Sequence, residues 1–325
     1  MNIQNALLFA PMAELSHAGL RSLIEDFGGC DYYFSEMISV NALLAGSVFE
    51  KYYMQTEPDG TKLIMQLLGN DAEKIIRASA KLNEIAIAGV DINMGCSAPD
   101  IARFGSGIHW MKDIEKARAL AGGVRRAVSA DRSVSVKIRI GYEEDPDYLV
   151  AFARALASEG IDFITLHPRV KNEKLKHSSR WKYITLLKEE LRIPVAGNGD
   201  VTTWENYDYK RTRFNADAIM IGRKAAGAPW FFAFLRGREH NPALIFEVNL
   251  YETALRFHTY LEQYQPSEFL KSRAQRFYQY FSENLFHGYA FFTKVSNAPD
   301  YYSIRHELDA YFKRHPKEVM FYEKE

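Results

Sequence analysis

The chain has 325 residues, is 47% hydrophobic, and balances 41 Lys and Arg against 41 Asp and Glu. That length and apolar content suit a large buried core and exclude disorder, while zero net charge excludes bulk-charge binding of polyanions and leaves room for a local basic patch. There is no apolar run long enough to span a membrane, the start MNIQNALLFAPM lacks signal-peptide features, and two distant cysteines, Cys30 and Cys96, form neither a disulfide framework nor a four-ligand zinc site; the expected setting is reducing and cytoplasmic.

In chain order, strand-like runs fall at 7–12 (LLFAPM), 32–40 (YYFSEMISV), 62–69 (KLIMQLLG), 89–95 (GVDINMG), 133–141 (SVSVKIRIG), 162–170 (DFITLHPRV), 193–201 (IPVAGNGDV) and 216–223 (ADAIMIGR). Between them lie stretches such as DAEKIIRASAKLNEIA and DPDYLVAFARALASEG, with apolar residues three and four apart and Asp or Ser near their starts as caps. Eight strand–helix alternations predict an α/β fold of the (β/α)8 TIM-barrel type, whose active site lies at the C-terminal ends of the strands; a doubly wound open sheet is the runner-up. After FLRGREHNP the pattern changes, and residues 245–325 show helical periodicity, many aromatics and no β-rich run. The predicted organisation is a catalytic barrel over 1–240 and a smaller all-helical domain over 241–325. Cys30, just before the second strand, is expected in the core.

Polar residues at the ends of apolar strands face the site in a barrel. They are Pro11–Met12–Ala13, Glu36, Gln66, Asn93 with Cys96, Lys137 with Arg139, His167 with Arg169, Asn198 with Asp200, and Gly222–Arg223. Any one of them has an ordinary structural reading, but their shared position argues for a site. The turns AGNGDV and IGRKAAGAP follow strands seven and eight, where such barrels often bind phosphate through glycine N–H groups and a nearby arginine. Lys137 ends a strand of alternating Val and Ser and admits two chemistries: a Schiff base from a desolvated amine, or a fixed cation that stabilises charge on a reduced cofactor ring. His167, in LHPR, can hydrogen-bond a ring or a phosphate.

Read together, APM, SEMI, QLLG, DINMGC with a following GSG, VKIRIG, LHPR, GNGD and IGR resemble, in order, the motifs of the tRNA-dihydrouridine synthases. The resemblance covers nearly the whole chain. It implies an FMN-dependent oxidoreductase that reduces the C5–C6 double bond of uridines in tRNA with NADPH as reductant, and no obligate protein partner. By matching position, Pro11, Met12 and Ala13 would line the flavin, Gln66 would hydrogen-bond its ring, Lys137 would offset charge near N1 and O2, and His167 would contact it. Asn198, Gly199, Asp200, Gly222 and Arg223 would hold its phosphate end. Asn93 would bind the flipped uracil, with Arg139, Arg169 and Lys171 as further substrate contacts. Cys96 would be the acid: hydride adds to C6, and the enolate left behind needs a proton at C5, which an ordinary thiol (pKa about 8.5) still carries at neutral pH.

The loop RVKNEKLKHSSRWK carries Arg169, Lys171, Lys174, Lys176, Arg180 and Lys182 against Glu173 alone, which suits tracking of RNA phosphates; Arg273, Arg276, Tyr278, Tyr280 and Lys294 in the tail are weaker candidates. Three departures stand out. Ser97 follows the cysteine where proline is usual, Arg103 stands where lysine is usual, and the loop before Trp181 lacks the usual tyrosine and glycine. The competing readings are an FMN-dependent dehydrogenase or reductase of a free pyrimidine and a Schiff-base aldolase built on Lys137.

Overall fold

The structure is a computed structural model that describes residues 1–173 and 177–324. Strands β1 (Ala6–Phe9), β2 (Tyr32–Ser39), β3 (Leu63–Leu68), β4 (Gly89–Met94), β5 (Ser133–Gly141), β6 (Phe163–Val170), β7 (Val195–Asn198) and β8 (Ala218–Ile221) pair in parallel in chain order. The sheet closes where β1 meets β8, Leu8 opposite Met220. A closed barrel therefore replaces the open-sheet alternative.

Strand alternation sorts the apolar residues into two layers. Ala6, Leu8 and Ala10 turn inward and meet Phe34, Ile64, Phe163 and Met220 in the barrel centre, whereas Leu7 and Phe9 turn outward to the helices. Both faces of each strand are covered, which is why these strands read as nearly continuous apolar runs. Asp71 and Asp145 cap their helices as expected, and Asp113 and Thr203 do the same for two others, each accepting a hydrogen bond from a first-turn backbone N–H. Cys30 is buried, and burial pushes its thiol pKa far above the usual range.

The last barrel helix ends at His240. Four helices follow, Leu250–Tyr264, Ser267–Phe281, Gly288–Asn297 and Tyr301–Arg314, and their aromatics make a core in which Phe257 stacks on Phe277 at 3.8 Å. This region departs from the all-helical expectation. β9 (Phe246–Asn249) and β10 (Met320–Glu323) form an antiparallel pair. Each strand is four residues long and lies at an opposite end of the helical stretch, so neither carries a periodicity readable on its own. Glu323 of β10 accepts hydrogen bonds from Lys224 at 3.1 Å and from the Trp230 indole at 3.0 Å, tying the end of the chain to the barrel.

A second tie is ionic and buried. Arg273 donates to Glu36 of β2 at 2.7 Å, with the two side chains 2% and 3% exposed, while the other Glu36 oxygen accepts the Glu14 backbone N–H at 2.6 Å. Burial raises the Glu36 pKa, and the Arg273 charge opposes that shift. Removing one partner of a buried pair strands the other charge, at a cost of about 3–5 kcal/mol. Arg273→Ala is expected to lower the unfolding free energy by about that amount in urea titration at pH 7, and a change within the error of the titration would show that the pair does not brace the two regions.

Candidate active site

At the C-terminal mouth of the barrel lies a cavity of about 670 Å³, within the size range of small-molecule and cofactor sites. Pro11, Met12 and Ala13 line it from the loop after β1, Lys137 from β5, His167 from β6, Asn198, Gly199 and Asp200 from β7, and Gly222 and Arg223 from β8. Ten of the sequence-selected residues thus meet in one hollow. Arg276, Tyr280, Glu283 and Asn284 of the C-terminal region complete its rim; sequence pattern offered no sign of the last two, because only docking of the helices brings them there.

The β7 and β8 turns form one wall. Gly199 has φ +118°, and a Cβ there would come within 2.9 Å of the His167 ring, so both backbone shape and close approach require glycine. Asp200 does not project a free carboxylate into the hollow. It accepts from Arg169 Nη2 at 2.7 and 2.8 Å, from the Ser179 backbone N–H at 2.7 Å and from Arg223 at 3.3 Å. Burial works against its charge, but the hydrogen bonds from Arg169 and Ser179 outweigh it and hold its pKa below the usual range. Its clearest local role is to aim Arg223. Asn198 donates to the Met220 carbonyl at 2.8 Å, fixing β7 against β8.

His167 is neutral and its tautomer follows from its partner. Burial lowers its pKa well below the usual value, assisted by Lys137, Arg139, Arg169 and Arg223. Nε2 lies 2.9 Å from Arg169 Nη1; a guanidinium only donates, so Nε2 accepts and Nδ1 carries the proton. Arg169 itself is fully buried and also donates to the His177 carbonyl. This expected substrate contact therefore acts, within the described residues, on His167 and Asp200.

Lys137 is one of four cationic side chains lining the hollow, with Arg223, Lys224 and Arg276, and among the described residues its ammonium has no hydrogen-bond or ion-pair partner. Burial, reinforced by Arg139, brings its pKa down to about 8, against the opposing charges of Asp91 and Cys96.

Asn93 on β4 and Cys96 in the loop that follows it are off the lining of the cavity. Asn93 Oδ1 accepts the backbone N–H groups of Gly95 at 3.2 Å and Cys96 at 2.9 Å, and its Nδ2 donates to Gln66 Oε1 at 2.8 Å. Gln66 is fully buried and donates to Asp91 at 2.7 Å, while Ser135 donates to the other Asp91 oxygen at 2.6 Å. Burial raises the Asp91 pKa to about 6. Sequence reading missed Asp91, although it shares the inward face with Asn93 by strand alternation. Cys96 is half-buried. Its carbonyl accepts the Ile108 N–H at 2.9 Å, and Gly107, with φ +61°, leaves no room for a Cβ, which would fall 2.5 Å from that carbonyl oxygen. The GSG glycine thus lets the loop fold back on the cysteine. Arg139 braces the base of the loop, donating to the Gly95 carbonyl at 3.0 Å and the Val170 carbonyl at 3.2 Å.

The basic loop after β6 is less bare than its sequence suggests. Arg180 pairs with both Glu144 and Glu173, and Lys182 lies 3.5 Å from Glu144, so an acid from the β5 side neutralises part of it. Lys171 stacks its ammonium 4.7 Å from the Tyr142 ring centre, with Lys112 on the same ring at 5.1 Å. Lys174 and Lys176 lie outside the described residues. In the tail, Arg273 and Tyr278 are buried, Lys294 pairs with Glu307, and Arg276 and Tyr280 reach the cavity rim.

Residues 8–318 match the family described as dihydrouridine synthase (Dus). The chain belongs to the dihydrouridine synthase family. This dihydrouridine synthase is therefore an oxidoreductase of a flavin-dependent family, which sets aside the aldolase and free-pyrimidine readings. It is 30% identical to a tRNA-dihydrouridine(16) synthase of Ralstonia nicotianae over 71% of this chain and 73% of that protein. It is 34% identical to a protein of the same name from Pseudomonas syringae, over 69% and 72% of the two chains, and 28% identical to tRNA-dihydrouridine synthase B of Pasteurella multocida, over 77% and 74%. Among solved structures it superposes on a 2-naphthoyl-CoA reductase in complex with 2-naphthoyl-CoA with TM-score 0.56 at 10% identity, over 73% of this chain and 50% of that one, a likeness of fold alone.

The Lys137 shift sets a pH dependence. An amine whose pKa falls on folding from 10.5 to about 8 is carried as a charge in both states below pH 8, so its penalty is complete there. The penalty fades as pH rises from 8 to 10.5, because the folded chain releases its proton first. Lys137→Met in flavin-free protein is expected to gain up to about 3 kcal/mol at pH 7, with the gain shrinking toward pH 10; denaturant melts at the two pH values check this, and a pH-independent difference would contradict it.

Proposed function

We propose that this dihydrouridine synthase binds FMN in the barrel-mouth cavity and reduces the C5–C6 double bond of a uridine in tRNA, with NADPH as reductant. The observation that carries the reading is the convergence on one cavity of a glycine-backed turn with Arg223, a Lys137 ammonium that has no partner among the described residues, and a neutral His167 whose Nδ1–H has none among them either. That donor set fits a phosphorylated, electron-accepting ring: Gly199, Gly222 and Arg223 would take the phosphate, and Pro11, Met12 and Ala13 would flank the ring. Lys137 would stabilise negative charge at its N1–O2 edge, and His167 would donate a hydrogen bond. Gln66 has one N–H and one lone pair left after binding Asp91 and Asn93, enough for a ring contact. When bound, the flavin supplies the hydride that adds to C6 of the uracil.

The remaining work falls to the chain's own side chains. Cys96 donates the proton to C5, and Asn93, which already fixes the backbone of the Cys96 loop, holds the base. Arg139 holds the same loop from its base and Arg169 positions His167 and Asp200, while Lys171, Lys112 and the tail rim are placed to meet RNA phosphates. Bringing a base out of folded RNA costs a few kcal/mol, which backbone contacts outside the pocket must offset. A cytoplasmic setting is part of the proposal and is consistent with a tRNA substrate and NADPH.

The test is incubation of the flavin-loaded protein and NADPH with unmodified tRNA, followed by positional mapping of dihydrouridine. Position 16 is the first place to look, since relatives named for it are 30% and 34% identical. Modification at defined positions, with free uridine left unreduced, is the expected result, and preferential reduction of free pyrimidine would refute the reading. Cys96→Ala is expected to keep its flavin absorbance and lose activity by about 10²-fold or more, the scale of a general acid; wild-type turnover in that variant would remove Cys96 from the role.

A further inference from the structure

Outside the residues that line the cavity, the C-terminal region brings together two histidines and a glutamate that the reaction does not use. His287 lies just before the helix Gly288–Asn297, His315 just after the helix Tyr301–Arg314, and Glu318 in the short turn Pro316–Glu318 that leads to β10. One ligand atom from each lies within 4.8 Å of the other two. We propose that His287, His315 and Glu318 form a binding site for one divalent transition-metal ion of the zinc class.

Their spacing is that of groups awaiting an ion. His315 Nδ1 and Glu318 Oε1 are 3.7 Å apart, too far for a good hydrogen bond. Two ligands bonded at about 2.0–2.2 Å in tetrahedral array stand roughly 3.4 Å apart, so small side-chain rotations would close all three on one centre. The two imidazole rings lie side by side, with centroids 4.6 Å apart and planes tilted by 44°.

The surroundings hold each ligand in place. Glu318 Oε2 accepts the Phe286 backbone N–H at 2.9 Å and the Tyr311 hydroxyl, which leaves Oε1 toward the histidines, as outer-shell hydrogen bonds orient a metal-binding carboxylate. The His315 N–H donates to the Tyr311 carbonyl at 2.9 Å, the Glu318 N–H to the His315 carbonyl at 3.0 Å, and the His287 carbonyl accepts the Phe291 N–H at 3.0 Å. Two nitrogen donors with one carboxylate favour zinc, cobalt or nickel over magnesium or calcium. His287 is exposed, which gives the ion an entry path, and three protein ligands leave at least one position for water. An ion there would clip the end of one helix to the start of another beside the strand that anchors the chain to the barrel.

The test uses full-length, untagged protein stripped with chelator and titrated with Zn²⁺ alone by calorimetry, with Co²⁺ absorbance as a second readout. Expected are one equivalent bound, low-coordinate Co²⁺ bands and a rise in Tm of several degrees on Zn²⁺ addition. His315→Ala and Glu318→Gln should each weaken binding at least about tenfold, the scale of even outer-shell losses, while Cys96→Ala should bind as wild type. Circular dichroism of the metal-free variants separates lost ligation from lost folding; should His315→Ala misfold, His287→Ala at the exposed position carries the same expectation. Absence of a stoichiometric site, or unchanged affinity in folded variants, overturns the proposal.

Discussion

The site depends on one side chain that is held from within the barrel and in turn holds the loop above it. Asn93 donates to Gln66 inside the barrel and accepts the N–H groups of Gly95 and Cys96 at its mouth. Polar groups in a packed interior must find partners or cost one to several kcal/mol each, so the row Ser135, Asp91, Gln66, Asn93 is satisfied link by link across β5, β4 and β3. The cysteine loop begins at the end of that row. Its start is therefore fixed by the barrel interior, while its own Gly107 lets it fold back on the cysteine.

Buried arginines do comparable work elsewhere. Arg169 joins β6 to β7 by gripping His167 and Asp200, and so decides both the tautomer of one and the charge of the other. Arg21 spends its guanidinium on three carbonyls, those of Ser16, Gln55 and Glu57, tying the loop after β1 to the one after β2. Arg273 carries a helix from the C-terminal region onto β2. A guanidinium suits all three places because its fan of donors can be satisfied in several directions at once.

The C-terminal helices are more than an appendage to the barrel. Their aromatics are largely their own core, yet Arg276, Tyr280, Glu283 and Asn284 reach the cavity, and Asn284 donates to the Gly227 carbonyl just beyond Arg223 at 2.7 Å. The rim of the cavity is thus built jointly by the two regions. The pairing of β9 with β10 and the Glu323 contacts to Lys224 and Trp230 keep that joint closed from the far end of the chain.

The eight strands, the caps of their helices and most cavity residues were legible in the sequence, because strand periodicity and end-of-strand position are local properties that a closed barrel converts directly into a common site. The motifs DINMGC, VKIRIG, LHPR and GNGD carried the family resemblance, which the match over residues 8–318 bears out. Tertiary structure alone decided that the Asp200 carboxylate, at the cavity wall, is taken up by Arg169 and Arg223, that Arg169 is interior, that Glu144 neutralises part of the basic loop, and that two four-residue strands pair across the helical region. It also gathered His287, His315 and Glu318. Each of these outcomes depends on which distant groups a polar side chain meets once it is buried, and hydrogen-bond satisfaction across elements leaves no periodic trace along the chain.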